Sequence, residues 1–392
     1  MTSAGLPIEL LELAIDFLED EQSLKATSLV CKAWLPRSRL NLFRTIELCL
    51  PGHLDHFATL LTESPHIAPY VEALDISENS LLAVFRPSKA IVARFPRIVA
   101  SCALVQLRRL TIHHQLWLPT RYSPDYLQFL SRLSSITTLH LYDVTFTSIA
   151  DFSLVLRAFE RLTSLSAKHL DCQRQLDSAI AADIGCSLPL LTKLSVDATH
   201  PTSVIDWLLR HTQLPAICDV ECSYELSTND RSQGLGAFWS NSGGTLERLS
   251  LSITKRSAGA RFPVEVIEQQ LDLSPCRELR MLRLDCRHER GVAPDWSWLT
   301  WLLSHIRRRT LRKVVFDFQS SSHAIASLHA FAEEVDGILT SDPFSHILES
   351  VIFKFDFRDA REPDDKCFTD LFPRLRVRNL LRVIESVPYA FI

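Results

Sequence analysis

The chain has 392 residues, 46% of them apolar, with a formal net charge of −4. That is enough apolar material for a large core and too little positive charge for a nucleic-acid footprint. No apolar run approaches the roughly 20 residues of a membrane span, and Glu9, Glu12 and Asp16 sit where a secretion signal would carry its apolar core, so a cytoplasmic or nuclear protein is expected.

The first 48 residues predict three short helices. Pro7 suits the first turn of a helix, where its missing N–H costs nothing. Leu10, Leu11, Ala14, Ile15 and Leu18 then recur at three- and four-residue steps and read as one apolar stripe. Asp20 or Ser23 can cap a second helix carrying Leu24, Thr27, Val30 and Cys31. Leu35 to Phe43 reads as a third, with Pro36 in its opening turn. Three helices over roughly 40 residues bury little surface alone, which leaves Leu6, Leu10, Leu18, Leu29 and Trp34 partly available for an interface.

The landmarks of this segment are Leu6-Pro7, Glu9-Leu10-Leu11, the acidic break Glu19-Asp20-Glu21, Ser28-Leu29-Val30-Cys31, Ala33-Trp34 and Leu42-Phe43-Arg44. Along its whole length the run resembles an F-box, most closely the version abundant in mushroom-forming fungi. The resemblance implies docking onto the S-phase kinase-associated adaptor of an SCF-type (cullin-RING) ubiquitin ligase, and through it onto a cullin. The residues it assigns to adaptor binding are Leu6, Pro7, Leu10, Ile15, Leu18, Leu24, Leu29, Val30 and Trp34.

From about residue 70 one phrase returns: apolar, two residues, apolar, one residue, apolar. It reads Val71-Leu74-Ile76, Leu107-Leu110-Ile112, Ile136-Leu139-Leu141, Leu162-Leu165-Ala167 and Leu191-Leu194-Val196. It continues as Ile217-Val220-Cys222, Leu246-Leu249-Leu251, Leu279-Leu282-Leu284, Leu311-Val314-Phe316 and Leu348-Val351-Phe353. Successive copies are 26 to 37 residues apart, near the spacing of leucine-rich repeats. Apolar residues two apart share one face of a strand, and the residues between them, such as Asp75, Thr111, His140, Ser195 and Ser250, are almost all polar. One face is expected to be buried and the other wet in every copy.

Helix-like stretches separate the phrases: Leu54 to Leu61, Tyr126 to Leu133, Phe152 to Phe159, Val204 to Leu209 and Ile325 to Ile338. The expected fold is α/β: a short three-helix F-box over 1–48, then a leucine-rich-repeat-like solenoid over 49–392, a curved parallel sheet with outer helices and a C-terminal cap. A doubly wound sheet also alternates strand and helix, but its central strands are usually apolar throughout. Phe368, Leu371, Phe372, Leu380, Leu381 and Ile384 are expected to form the cap.

A loop with Gly234, Gly236, Gly243 and Gly244 interrupts the array. It lacks the Gly-Lys-Ser/Thr ending of a phosphate cradle and reads as a loop and short helix before the Leu246 strand. Arg307-Arg308-Arg309 with Arg312-Lys313 follows an apolar helix from Trp298 to Ile306 and reads as a solvated helix end. The ten cysteines include no CxxC pair, so they read as small buried hydrophobes rather than metal ligands, and neither metal nor cofactor is expected.

No G-x-S-x-G elbow, HExxH helix or dinucleotide fingerprint is present, so no enzymatic activity is expected. His113-His114 is the one adjacent histidine pair; strand neighbours point to opposite faces, which assigns His113 to the sheet surface and His114 to a turn. Arg109, His113, His140, Tyr142, Lys193, Glu221, Arg248 and Arg283 form the candidate substrate-binding surface, because Arg and Tyr often anchor interfaces. The expectation is a protein that selects an unidentified protein target for a ligase; the alternative is a repeat scaffold working outside any ligase. No nucleic-acid or membrane partner is expected.

Overall fold

The ten repeated phrases become ten strands, and the strands pair so that equivalent apolar residues stand side by side. The computed structural model describes residues 7–18, 20–77, 90–102, 104–118, 122–173, 186–198, 207–209, 212–226, 234–255, 264–286, 296–306, 310–319, 322–356 and 370–385. It shows an α/β chain with a large parallel sheet of 12 strands that follow one another in chain order. A doubly wound sheet reverses its strand order at a switch point; the absence of any reversal is consistent with a solenoid. The chain divides into two compact units, 1–166 with 170–177, and 167–169 with 178–392.

The first unit opens with helices α1 (Ile8–Asp16), α2 (Glu21–Ser28) and α3 (Leu35–Phe43). Asp20 caps α2, its carboxylate accepting from the Ser23 amide at 2.7 Å. α3 packs on β1 (Thr45–Leu48) and on the 3-10 turn Pro65–Tyr70 that follows α4 (Pro51–Glu63), which fastens the N-terminal helices to the sheet. β1 pairs with β2 (Ala73–Ile76), so the last four residues of the segment expected to be helical are a strand. Next come α5 (Ile91–Ser101), β3 (Arg109–His113), β4 (Leu116–Trp117), α6 (Tyr126–Ser131), β5 (Thr138–Tyr142), β6 (Thr145–Phe146) and α7 (Ile149–Ala158). Leu74, Leu110 and Leu139 are register partners, as are Ile76, Ile112 and Leu141, and all six are fully buried.

Two turns repeat in this unit. After β3 and β5 the chain passes through a left-handed residue, His114 at φ 51° and Asp143 at φ 53°, side chains that tolerate this region better than most. The turn feeds β4 and β6, which pair beside the main sheet and place Trp117 against Phe146 at 5.7 Å between centroids.

Sequence patterning overlooked α5 because Pro96 stands in its middle and removes the amide that would bond the Val92 carbonyl. The structure supplies a substitute: the Tyr126 hydroxyl donates to Val92 O at 2.9 Å, and Trp117 Nε1 donates to the Tyr126 oxygen at 2.8 Å, both bonds buried. Burial pushes the Tyr126 phenol well above its usual range, so it remains a donor.

The remaining strands are β7 (Ser164–Lys168), β8 (Asp171–Cys172), β9 (Cys186–Ser187), β10 (Lys193–Ala198), β11 (Thr212–Gln213), β12 (Asp219–Leu226), β13 (Arg248–Lys255), β14 (Met281–Asp285), β15 (Lys313–Gln319), β16 (Ser350–Asp356) and β17 (Leu381–Glu385). In the second unit Leu194, Val220, Leu249, Leu282, Val314 and Val351 form one register row, each no more than 1% exposed. Its helices α8 (Gly234–Ser242), α9 (Val264–Leu271), α10 (Ser297–His305), α11 (Ser322–Thr340) and α12 (Pro373–Val377) pack on one another in chain order. Within the segment expected from Val204 to Leu209, 207–209 is helical and the rest lies outside the described residues, as do Arg307, Arg308, Arg309 and Phe368.

The glycine-rich loop is explained by packing. A Cβ on Gly236 would meet the Gln269 carbonyl oxygen at 2.2 Å, so only glycine lets α8 approach α9 this closely. The C-terminal cap is built on Asp336, whose carboxylate accepts from the Arg374 and Leu375 amides at the start of α12. Phe372 packs on Phe353 with ring centroids 4.5 Å apart and the rings tilted by 35°. The cap carries an additional strand, β17, beyond the ten phrases.

The polar face is less uniformly wet than its alternation suggests. Thr111 and Ser166 are short side chains on strands about 4.8 Å from their neighbours, where longer flanking groups shade them. Val315 and Ile352, register partners on β15 and β16, are also buried, so this face carries one apolar pair between the polar pairs Lys313–Ser350 and Asp317–Lys354.

Replacing Tyr126 with Phe leaves Val92 O and Trp117 Nε1 without their bonds and is expected to destabilise the chain by about 1–3 kcal/mol. In a Pro96→Ala background, where an amide is restored to α5, the same change is expected to cost less. Urea unfolding of the four variants of this double-mutant cycle measures the difference.

Candidate functional site

Two surfaces contain the residues singled out from the sequence. The first is the N-terminal helical module. α1 does not carry one apolar stripe but two. Leu11, Ile15 and Leu18 turn inward, Ile15 being 2% exposed, whereas Leu10, Leu13 and Phe17 point outward at 50%, 52% and 76% exposure. Ile15 and Leu24 were expected at the adaptor surface; both are buried inside the module and belong to its core. Leu6 lies outside the described residues, Pro7 is exposed, and Leu18 and Trp34 are half-buried. Leu29 and Val30 follow the end of α2, and both are exposed, Leu29 at 85%.

Polar contacts hold this module in shape. Arg37 on α3 clasps Asp16 on α1, and Asn41 Nδ2 adds a bond to the same carboxylate at 3.0 Å. The Arg37 hydrogen bond keeps the Asp16 carboxyl below its ordinary range. The Thr27 and Ser38 hydroxyls meet at 3.0 Å between α2 and α3. Ile8, Leu13 and Phe17 were missed as surface residues; their signal was the i, i+3, i+7 spacing of Leu10, Leu13 and Phe17, a second stripe beside the first.

The second surface is the polar face of the sheet, where the candidate substrate residues separate into two kinds. In the second unit most are engaged by oppositely charged neighbours on adjacent or nearby strands. Lys168 Nζ meets Glu221 at 3.3 Å, Arg248 meets Asp219 at 3.1 Å, and Arg283 pairs with the nearly buried Asp317. Lys193 is exposed at the start of β10.

In the first unit the chemistry is aromatic. His113 and Tyr142 are register partners whose rings stack at 5.0 Å, and His140 meets Tyr142 edge-on at 6.0 Å. His114 occupies the left-handed turn and pairs with Asp143 at 3.1 Å. Arg109, four residues before His113 on β3, reaches across to Thr45 Oγ1 at 3.4 Å. Asp75, not singled out beforehand, lies on this face with its Oδ1 buried and without a hydrogen-bond partner. Burial lowers the His113 pKa, opposed by the charge of Asp75.

Among the described residues no group of three His, Cys, Asp or Glu side chains converges as metal ligands would. Cys222 and Cys286 are buried, and burial raises both thiols. Cys172 and Cys276 are buried too, and burial pushes each up to about 12. Cys31 is exposed and departs from the expectation of uniformly buried cysteines, because α2 ends before it. No described helix is long and apolar enough to cross a membrane.

No protein-family model matches the sequence, and no curated protein does. Among solved structures, a structural-genomics protein from Bacteroides fragilis is similar over 66% of this chain and 67% of its own, at 15% identity and a TM-score of 0.35. A likeness that low bears on neither fold nor function.

A histidine whose protonation is harder in the folded chain than in the unfolded one costs stability as the pH falls through its ordinary value near 6.5. Urea unfolding is therefore expected to show a larger loss of stability between pH 7 and pH 5 for the native chain than for His113→Gln. Equal losses would assign the pH dependence elsewhere.

Proposed function

We propose that this chain is the target-selecting subunit of an SCF-type ubiquitin ligase, with α1–α3 acting as an F-box and the strand–helix array acting as a leucine-rich-repeat-like arm that holds the target. The observation that carries this reading is the outward stripe of α1. Twelve large hydrophobic residues are strongly exposed among the described residues, and six of them, Ile8, Leu10, Leu13, Phe17, Leu29 and Val30, lie within the first 30 positions. Scattered apolar side chains are normal on a surface, but a concentration of them marks a site of association. A short helix that is apolar on two sides and covered on one is suited to a partner on the other.

The resemblance of this segment to an F-box names the partner: the S-phase kinase-associated adaptor, joined to a cullin. In this reading the chain supplies no chemistry. It raises the effective concentration of a target lysine near a charged ubiquitin-conjugating enzyme.

Leu10→Glu combined with Leu29→Glu changes only exposed positions and is expected to leave the fold intact while reducing adaptor and cullin co-purification at least tenfold. Affinity purification with mass spectrometry reads the partners, and circular dichroism reads the fold. Undiminished adaptor in the folded double variant would sink the docking assignment. A native chain that purifies with targets but no adaptor would assign it instead to a scaffold outside any ligase.

A further inference from the structure

Burial alone does not fix the rotation of α1. Counted at about 100° per residue through the turn that closes the helix, Leu11, Ile15 and Leu18 lie on one side and Leu10, Leu13 and Phe17 on another, with Ala14 between them. Together they form an apolar arc of roughly 200°, about twice the stripe by which a surface helix faces its core. The polar remainder holds Glu9, Glu12 and Asp16. Turning such a helix about its axis exchanges one apolar face for another of similar character.

One polar contact removes this freedom. Arg37 on α3 grips both oxygens of Asp16, its Nε donating to Oδ1 at 2.6 Å. Asn41, one turn further along α3, donates to the same Oδ1 at 3.0 Å and to the Ile15 carbonyl at 3.3 Å. Among the described residues, Asp16 is the only side chain of α1 that hydrogen-bonds or ion-pairs with another element. It lies outside the apolar arc, so a turn of the helix in either direction moves the carboxylate away from Arg37.

The two charges are poorly placed for their own helices. Asp16 ends α1, and Arg37 stands in the first turn of α3, whereas a helix favours cations at its C-terminus and anions at its N-terminus. Each residue is therefore explained by the other rather than by local helix chemistry. The Arg37 and Asp16 side chains are only 33% and 30% exposed, and a two-pronged arginine–carboxylate contact fixes direction as well as distance.

We propose that the Asp16–Arg37 pair, braced by Asn41, sets the rotation of α1 on α3 and thereby selects Leu10, Leu13 and Phe17 as the face presented for docking. Asp16 and Arg37 are positioning residues in this scheme and act without touching the partner. This rests on the reading of the outer stripe as the adaptor-binding surface. Without the clasp α1 turns on α3, covering part of the outer stripe and exposing part of the inner one.

Site-resolved thiol labelling, read by peptide mass spectrometry on the full chain, tests the rotation directly. Leu13→Cys reports the outer face and Ile15→Cys the inner one, with Leu11→Cys in its place if Ile15→Cys does not fold. Arg37→Met keeps the apolar stem and removes the guanidinium. It is expected to slow labelling at position 13 and speed it at position 15, lowering their ratio at least about fivefold. Asp16→Arg combined with Arg37→Asp rebuilds the pair with its charges exchanged and is expected to restore the ratio. Circular dichroism confirms the fold of each variant. An unchanged ratio, faster labelling at both positions, which marks loosening rather than rotation, or no recovery in the exchanged pair would overturn the proposal. Adaptor co-purification from the same variants keeps the two readings separable. A lowered ratio with undiminished adaptor leaves the clasp and removes the docking face; an unchanged ratio in a chain that captures adaptor does the reverse.

Discussion

Each strand of this protein carries a row of apolar side chains that only its neighbours in the sheet, and the helices between them, can cover. Parallel pairing aligns Leu74 with Leu110 and Leu139 in one unit, and Leu194 with Val220, Leu249, Leu282, Val314 and Val351 in the other. A slip of one residue would turn every apolar row to the polar face, so the register is strongly specified. Everything else depends on this alignment. It puts the turn residues His114 and Asp143 side by side, stacks His113 on Tyr142, and brings Glu47 opposite Asp75.

The same constraint explains how the ends of the array are handled. An array of this kind exposes apolar residues at its first and last strands unless something caps them. At the N-terminal end α3 packs against β1. At the C-terminal end Phe372 covers Phe353, and Asp336 ties down the start of α12. The N-terminal module also carries an outer apolar stripe, Leu10, Leu13 and Phe17, that none of the described residues covers. The same module that carries this stripe is therefore part of what holds the sheet edge.

The polar face shows how one alternation pattern can serve two purposes. Where charges of opposite sign meet across strands, as in Arg248 with Asp219 and Arg283 with Asp317, the face satisfies itself and contributes modestly to holding the strands. Where Glu47 stands opposite Asp75, like charges meet and the face does not satisfy itself. The eight residues first grouped as one binding surface are thus chemically unlike. Arg248 and Arg283 are engaged within the sheet, and the cluster around His113, His140 and Tyr142 is the distinctive part.

By itself the sequence determined the repeat, the strand at each of its ten copies and the third helix of the N-terminal module. These follow from local periodicity, since residues two apart share a strand face and residues three or four apart share a helix face. Tertiary structure alone decided which side of α1 is covered, because Leu11–Ile15 and Leu10–Phe17 are equally apolar and only the position of α3 distinguishes them. It also decided that α5 survives Pro96, since the compensating hydroxyl comes from Tyr126, 34 residues beyond the carbonyl it satisfies. Asp75 remained hidden for the same reason. Its partnerless oxygen is a property of the neighbouring strands, and no spacing along the chain records which side chains those strands will bring beside it.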